Sequence, residues 1–349
     1  MFFGNKKILG LDIGSTSIKI VELDVKRSGA TLQSFLMIPM PAGALGTGEI
    51  LDGNTISMTL QRALSDFKTK RKNVSIGLWG TSVIIKRISI PKVEKKLIQE
   101  SLRFEAEQHI PFDINNVTLS YHLLPFESSP ETLDILLVAA QNEVIRQYME
   151  TVANVGLKCT VVDVAGFALA NLFELNYGIL GNNEVVALLN IGAQVTNFVA
   201  VQNGEVIFCR DVPVGGSSYT SEISKNMGCS FQEAEGLKLT AAKGQEVPEG
   251  VSHTIAQVNE QILDEIRSSI DFLTVTNQGL KMSRCLYTGG GSLTPGLIDK
   301  MAQGLEMKFE VLNPYRKISM GRKMNVGYLQ QVAPFVSVAL GLGLRSGND

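Results

Sequence analysis

The stretch "LDIGSTSIK", residues 11–19, decides the fold. Leu11 and Ile13 continue the apolar alternation begun in "KKILGLDI". Gly14 opens a turn of Ser15, Thr16 and Ser17, and alternation resumes in "SIKIVELDV", so two strands joined by a polar turn are predicted. A turn rich in glycine and hydroxyl groups lets backbone N–H groups converge on an anion and adds side-chain donors. Lys19, early in the second strand, puts an ammonium within reach of the same anion. An ordinary hairpin with a polar turn explains a single copy of the pattern equally well.

A second copy shifts the balance. "LLNIGAQVTNFVAV", 188–201, repeats strand, polar residue, Ile-Gly, small polar turn and strand, with Asn190 standing where Asp12 stood. Two related halves facing one cleft are expected, each presenting one hairpin to a phosphate.

The rest of the chain gives this pair its setting. A length of 349 residues with 44% hydrophobic content supports a substantial core in two domains, or in one domain carrying insertions. A formal net charge of −2 offers no field for nucleic acid, and no nucleic-acid partner is expected. The basic run "KTKRK", 68–72, reads as a solvated helix end, where cations complement the helix dipole. Cys159, Cys209, Cys229 and Cys285 are dispersed, without metal-ligand spacing against His109, His122 or His253, which suits a reducing compartment. The first residues run straight into strand pattern, so no signal peptide is expected. "VAPFVSVALGLGL", 332–344, is shorter than the roughly 20 residues a bilayer span needs and reads as a buried terminal helix.

Between the hairpins, a helix over 54–68 with Asn54 as cap is followed by strands "NVSIGLW" and "SVIIKRISI". A helix introduced by Pro91 and ended by Pro111 comes next, then strands "VTLSYHLL" and "TLDILLVAA", then a helix from Asn142 to Asn154 stopped by Gly156. Residues 86–160 thus read as a compact αββα unit inserted into the first half. Beyond the second hairpin, "VGGSSYT" starts a helix. Ser230 and Glu233 have capping-box spacing, and Glu235 and Lys238 lie one turn apart, as a surface ion pair also would. Ile255, Val258, Ile262, Ile266, Ile270 and Leu273 stripe a long core helix. In "CLYTGGGSLTPGL", 285–297, three glycines cost backbone entropy, so something must need bare backbone there; an adenosine lying against the turn would. Thr294 and Pro295 read as N-cap and first residue of the next helix.

Together these motifs resemble the actin, Hsp70 and sugar-kinase superfamily, whose members bind ATP between two ribonuclease-H-like domains. The inserted block narrows the likeness: "RFEAEQHIPFDINNVTLSYHLL", 103–124, and "VVDVAGFALANLF", 161–173, resemble the PilM family, the FtsA-like cytoplasmic proteins of type IV pilus assembly. The resemblance implies an α/β, actin-like two-domain ATPase fold with duplicated ribonuclease-H-like domains and an FtsA-like αββα insertion. Its implied division is a first domain of 1–85, 161–183 and 330–349, an insertion of 86–160, and a second domain of 184–329 with a helical part at 217–283.

The resemblance also implies ATP or ADP with Mg²⁺ as ligands, and capture of the short cytoplasmic tail of a PilN-like bitopic inner-membrane protein, with pilus motor ATPases as further partners. Membrane association is then indirect, at the inner face of the inner membrane. Carried over by position, Gly14, Ser15, Thr16, Ser17 and Lys19 form the first phosphate loop, with Asp12 near a metal reached mainly through water. Asn190, Gly192, Ala193, Thr196 and Asn197 form the second. Gly216 approaches the nucleotide, Glu235 and Lys238 the ribose or adenine edge, and Gly290, Gly291 and Ser292 the adenosine. Phe104, Glu105, Gln108, Ile110 and Phe112 are candidates for tail contacts, and packing or capping of the inserted helix explains them equally. Asn190 cannot act as a carboxylate base where the superfamily usually has Asp, so slow or negligible hydrolysis is expected. A small-molecule kinase of the superfamily and a membrane-anchoring FtsA-like division protein are the alternatives, and only the family likeness separates a pilus platform from the related type II secretion platform.

Overall fold

The computed structural model describes residues 8–26, 29–93, 97–125, 129–181, 184–276, 280 and 282–346. The predicted hairpin is present: β1 (Leu9–Ile13) and β2 (Ser17–Lys26) pair antiparallel, with Asp12 opposite Lys19. β1 is buried along its whole length because β4 (Asn73–Leu78) pairs with it in parallel on the other side. With β3 (Gly29–Pro39), β8 (Lys158–Val164) and β14 (Ile318–Met320), they make a six-stranded sheet of order β14-β3-β2-β1-β4-β8.

A second sheet repeats the plan with β9 (Val185–Ile191), β10 (Thr196–Gln202), β11 (Glu205–Val212), β12 (Met282–Thr288) and β13 (Lys308–Val311). Its order is β11-β10-β9-β12-β13. In both sheets a three-stranded antiparallel meander is followed by two parallel strands on the far side of its first strand. The duplicated actin-like architecture is therefore visible strand by strand. Parallel neighbours covered on both faces account for the near-continuous apolar runs of β1 and β9.

Helices fill the remaining faces. α1 (Gly53–Phe67) and α3 (Asn142–Ala153) close the first core, with Ile56, Leu60, Tyr148 and Val152 buried against Leu11 and Ile76. α4 (Ala165–Tyr177) and α10 (Ser337–Gly343) cross between the sheets, in a core that joins Val21 and Leu32 to Leu188 and Val199. They approach so closely that a Cβ on Gly341 would lie 1.8 Å from the Ala168 carbonyl oxygen. The second core is covered by α5 (Gly216–Met227), α6 (Phe231–Ala242), α7 (Glu249–Thr276) and α8 (Leu297–Leu305). The predicted α7 stripe is buried at Ile255, Val258, Ile262, Ile266 and Leu273, and Ile270 packs against it. α9 (Val326–Val332) leads back to α10.

The inserted unit is a three-stranded sheet, β5 (Val83–Pro91), β7 (Thr132–Gln141) and β6 (Val117–Leu123), with α2 (Ile98–His109) packed on it through Leu102 and Ala106. Several local expectations change here. Pro91 ends β5, opposite Thr132, and does not open a helix; 94–96 of the expected helix lie outside the described residues. The unit reads strand, helix, strand, strand, because α3, expected to close it, packs on α1 in the first core and β8 joins the first sheet. β14 also joins the first sheet, by pairing with β3, although 184–329 was expected to belong to the second domain. Residues 182–183 at the expected domain boundary and 347–349 lie outside the described residues.

Asp52, not Asn54, caps α1, accepting the Thr55 N–H at 3.0 Å. In "KTKRK", Lys68 ends the helix in the left-handed region, while Arg71 is buried and bonds the carbonyls of Ile8 and Leu23. α8 starts at Leu297 after Gly296 at φ +73°, so Thr294 and Pro295 precede the helix. The apolar stretch 332–344 is bent: α10 follows a 3₁₀ turn at Ala333–Phe335 and makes a 97° angle with the preceding helical segment. Among the described residues no single helix is long and apolar enough to cross a membrane.

Candidate functional site

The two hairpin turns face one another across a cavity of about 260 Å³. Asp12, Gly14, Ser15, Thr16 and Lys19 line it from the first sheet, and Asn190, Gly192, Ala193 and Asn197 from the second. Gly216, Glu235, Lys238, Gly290 and Gly291 complete the set of expected residues at this wall. Three expected residues do not line it. Thr196 is buried and its hydroxyl donates to the Val214 carbonyl (2.8 Å), the Ser292 hydroxyl donates to the Gly289 carbonyl (2.7 Å), and the Ser17 carbonyl accepts the Gly14 N–H (3.1 Å). These groups shape the turns from behind.

Each hairpin keeps its cleft residues in register across its two strands. In the first, Lys19 Nζ donates to Asp12 Oδ2 at 3.0 Å, with both side chains about nine-tenths buried. In the second, Asn190 Nδ2 donates to Asn197 Oδ1 at 2.7 Å, and Asn197 Nδ2 to Asp211 Oδ1 at 2.6 Å. The Gly80 N–H from the first sheet's side donates to Asp211 Oδ2 at 2.6 Å. Burial pushes the Asp211 carboxyl above the ordinary carboxylate range, and the bonds from Gly80 and Asn197 pull against that shift. Sequence reading missed Asp211; its signal was an acid two residues after Cys209 near the end of β11, opposite Asn197.

Which backbone amides face the cleft also differs from the simple expectation. The Gly14 N–H is spent on Ser17 and the Gly192 N–H on Val195 (2.9 Å), so neither glycine amide is open to the cleft. Likewise, the first N–H groups of α5 dock that helix on the second turn, Gly216 to the Gly192 carbonyl (2.9 Å) and Ser217 to the Ala193 carbonyl (2.7 Å). Lys238 does more than form a surface pair: its ammonium bonds Glu235 (2.7 Å), the Thr220 hydroxyl (3.0 Å) and the Gly216 carbonyl (3.1 Å). This ties α6 to the start of α5. Leu239 and Ala242, four and seven residues after Glu235, share the cleft-facing side of α6 and follow from the helical phase set by the Ser230–Glu233 capping box.

The three glycines are required first by the protein's own packing. A Cβ would lie 2.3 Å from the Ile191 carbonyl at Gly289, 2.5 Å from the Phe335 ring at Gly290, and 2.6 Å from Ile191 Cγ2 at Gly291. Trp79, also missed, lines the cleft while its indole N–H donates to the Ile13 carbonyl (3.0 Å), and Gln194 and Phe335 line it too.

A second cavity, of about 410 Å³, opens on the other side of Asp211. Thr47, Gly80 and Thr81 form one wall, residues 83–86 of β5 another, and Phe208, Arg210 and Phe272 the third. None of the five expected tail-contact residues lines it. Phe104 is exposed on α2, whereas Ile110 and Phe112 pack in the inserted unit's core, which is the bland alternative for those two.

The sequence pattern of the family described as type IV pilus assembly protein PilM matches residues 10–347. The chain belongs to the PilM family. The solved PilM-PilN type IV pilus biogenesis complex superposes on this PilM-family chain with a TM-score of 0.87 at 26% identity, covering 99% of this chain and 100% of that one. The cell division protein FtsA of Enterococcus hirae is 22% identical over 87% of this chain and 78% of its own length. FtsA of Bacillus subtilis (strain 168) is 21% identical over 67% of this chain, which spans 58% of that relative's length. MreB5 of Spiroplasma citri bound to AMPPNP shares the fold, with a TM-score of 0.53 at 11% identity over 97% of this chain and 95% of its own.

Proposed function

We propose that this PilM-family chain binds ATP, with Mg²⁺, between its two hairpins and acts as a scaffold of the type IV pilus inner-membrane platform by receiving the cytoplasmic tail of a PilN-like protein. The observation that carries the first half is the facing pair of equivalent turns, one of them holding the buried Asp12–Lys19 pair. Phosphates suit the hydroxyls of Ser15 and Thr16, the Lys19 ammonium and the turn amides. The nucleoside end suits the slot between the Leu239 face of α6 and the bare backbone of Gly290 and Gly291.

The donor set fits a phosphate-held magnesium ion. Among the described residues no group of three or more His, Cys, Asp or Glu side chains is placed to hold a metal, and Mg²⁺ bound through substrate phosphates and water needs only one carboxylate. Asp12 supplies it from inside the cleft. The ion neutralises phosphate charge when bound. In the second hairpin the facing groups are amides, and the buried Asp211 carboxylate is occupied by Gly80 and Asn197, so no acid is free there to orient an attacking water. Slow turnover follows, with ATP acting mainly as a ligand that holds the two halves together.

For the partner we assign the second cavity, between the first domain, the edge strand β5 and β11, to the tail. The likeness to a PilM-PilN complex supports this role. An extended peptide suits it, because β5 and β11 each end a sheet, and among the described residues no other strand pairs with their outer edges. The partner would bring the protein to the inner face of the membrane. Isothermal titration with ATP and with a synthetic N-terminal tail peptide of the PilN-like protein tests the reading; absence of binding to either overturns the corresponding half.

A further inference from the structure

The two cavities share one wall, and that wall is a continuous run of hydrogen bonds between the halves of the molecule. It starts at the first hairpin, where the Ile13 carbonyl accepts the Trp79 indole N–H at 3.0 Å. The next residue, Gly80, gives its N–H to Asp211 (2.6 Å), Asp211 accepts from Asn197 (2.6 Å), and Asn197 accepts from Asn190 (2.7 Å) on the second hairpin. Trp79, Asn190 and Asn197 line the first cavity; Gly80 and Asp211 line the second. One carboxylate therefore stands between two sites.

Its chemistry fixes the polarity of the run. An ionised carboxylate only accepts, so Asn197 must point its NH₂ at Asp211 and its carbonyl oxygen at Asn190, which must answer with its own NH₂. The amide of Asn190 then has its oxygen to offer the cleft. The NH₂ has two N–H donors, so a phosphate oxygen can take one without breaking the run; a ligand that turns the Asn190 amide, so that its NH₂ leaves Asn197 Oδ1, removes the donor to Asn197 and loosens the hold of Asn197 on Asp211. The far end cannot adjust by sliding. Gly80 is at φ +86°, and even a Cβ there would lie 2.4 Å from the Thr47 carbonyl oxygen, so its N–H moves only with the backbone of 79–81 and the facing turn.

We propose that Asp211 is the coupling residue between the nucleotide cleft and the groove beside β5, so that a ligand in either site changes the affinity of the other. This rests on the two-site reading above and adds its regulation. Coupling between sites needs differential contacts in the two states and is reciprocal in binding free energy. The Asn190–Asn197–Asp211–Gly80 run supplies those contacts without involving the surrounding apolar cores.

The test is titration of the full-length protein with a synthetic PilN-like tail peptide, with and without saturating MgATP, for wild type and Asp211→Ala. A parallel hydrogen-exchange measurement follows the Gly80 amide of the wild type. In the wild type MgATP is expected to shift the peptide Kd by about fivefold or more, the lower range of such couplings, and to change Gly80 exchange. In the folded Asp211→Ala protein the ratio of the peptide Kd with MgATP to that without it should fall to about one, whatever the absolute affinity. Retained coupling in that variant overturns the proposal. Should the variant not fold, unchanged Gly80 exchange on MgATP saturation of the wild type overturns it equally. A wild type that binds both ligands with independent affinities defeats the coupling alone, whereas one that binds no MgATP defeats the underlying site reading.

Discussion

Asp12 and Lys19 face each other across one hairpin as a buried ion pair of 3.0 Å, and the second hairpin places Asn190 and Asn197 in the same register with amides in place of charges. The duplication has kept its geometry and divided its electrostatics. One half brings a cation and an acid to the cleft, and the other brings neutral groups whose orientation is set from behind by Asp211.

Replacing Lys19 by Ala removes a charge-assisted contact to phosphate and strands Asp12 without its counter-charge. A loss of about 1.5–3 kcal/mol in ATP binding is expected, roughly ten- to a hundredfold in Kd. Calorimetric titration measures it. An affinity equal to wild type would show that the ammonium serves Asp12 alone.

Changing Asn190 to Asp supplies at that position the acid that Asp12 provides in the first hairpin but sets it against Asn197 Oδ1. To donate to the new carboxylate, Asn197 must turn its amide and then presents oxygen to Asp211. The variant should therefore lose stability, by about 1–3 kcal/mol for an unsatisfied buried group, even if its ATPase rises. Denaturant unfolding and steady-state turnover on the same preparation separate the two effects. A variant as stable as wild type would mean that the amide orientations are not locked.

The Asp211 carboxyl titrates above its unfolded value because burial outweighs the bonds from Gly80 and Asn197. The folded state then holds the proton more tightly than the unfolded chain, so the stability Asp211 contributes is complete below the unfolded value near 3.8 and falls as pH rises through the folded one. Asp211→Asn cannot titrate. The unfolding free energy of wild type minus that of the variant should decline with rising pH, by at most about 1.4 kcal/mol per unit, and level off once the folded carboxyl is ionised. Urea curves across the acidic range test this, and a flat difference would contradict the shift.

The duplicated hairpins were legible because their signal is local: alternation, a glycine turn and a matching polar position at Asp12 and Asn190. The α7 stripe and the Ser230 capping box were legible for the same reason, each being set by spacing along one helix. What escaped was decided across the chain. Gly289 to Gly291 look like a ligand cradle in sequence, but their missing side chains are demanded by Ile191 and Phe335, from a neighbouring strand and a distant 3₁₀ turn. α3 follows directly on the inserted β7, yet its apolar face fits the first core and not the inserted sheet. Asp211 lies near the end of β11, and only pairing of β11 with β10 brings it to Asn197.

Arg71 is the sharpest case, because a run of five polar and basic residues hides one that is buried. Its guanidinium pairs with Glu22 at 3.0 Å and Asp24 at 2.6 Å and bonds the Ile8 and Leu23 carbonyls at 3.2 and 2.6 Å, joining the α1–β4 connection to β1 and β2. Arg71→Ala takes this partner from two carbonyls and two carboxylates, so a loss of about 3–5 kcal/mol, typical of breaking a buried ion pair, is expected. Alanine at Lys68 or Lys70, outside this network, should change stability by no more than about 0.5 kcal/mol. Parallel urea unfolding of the three variants checks the contrast. If Arg71→Ala unfolds with the others, the network adds nothing beyond what solvent would supply, and β1 is held in the sheet by its apolar side chains and backbone ladder alone.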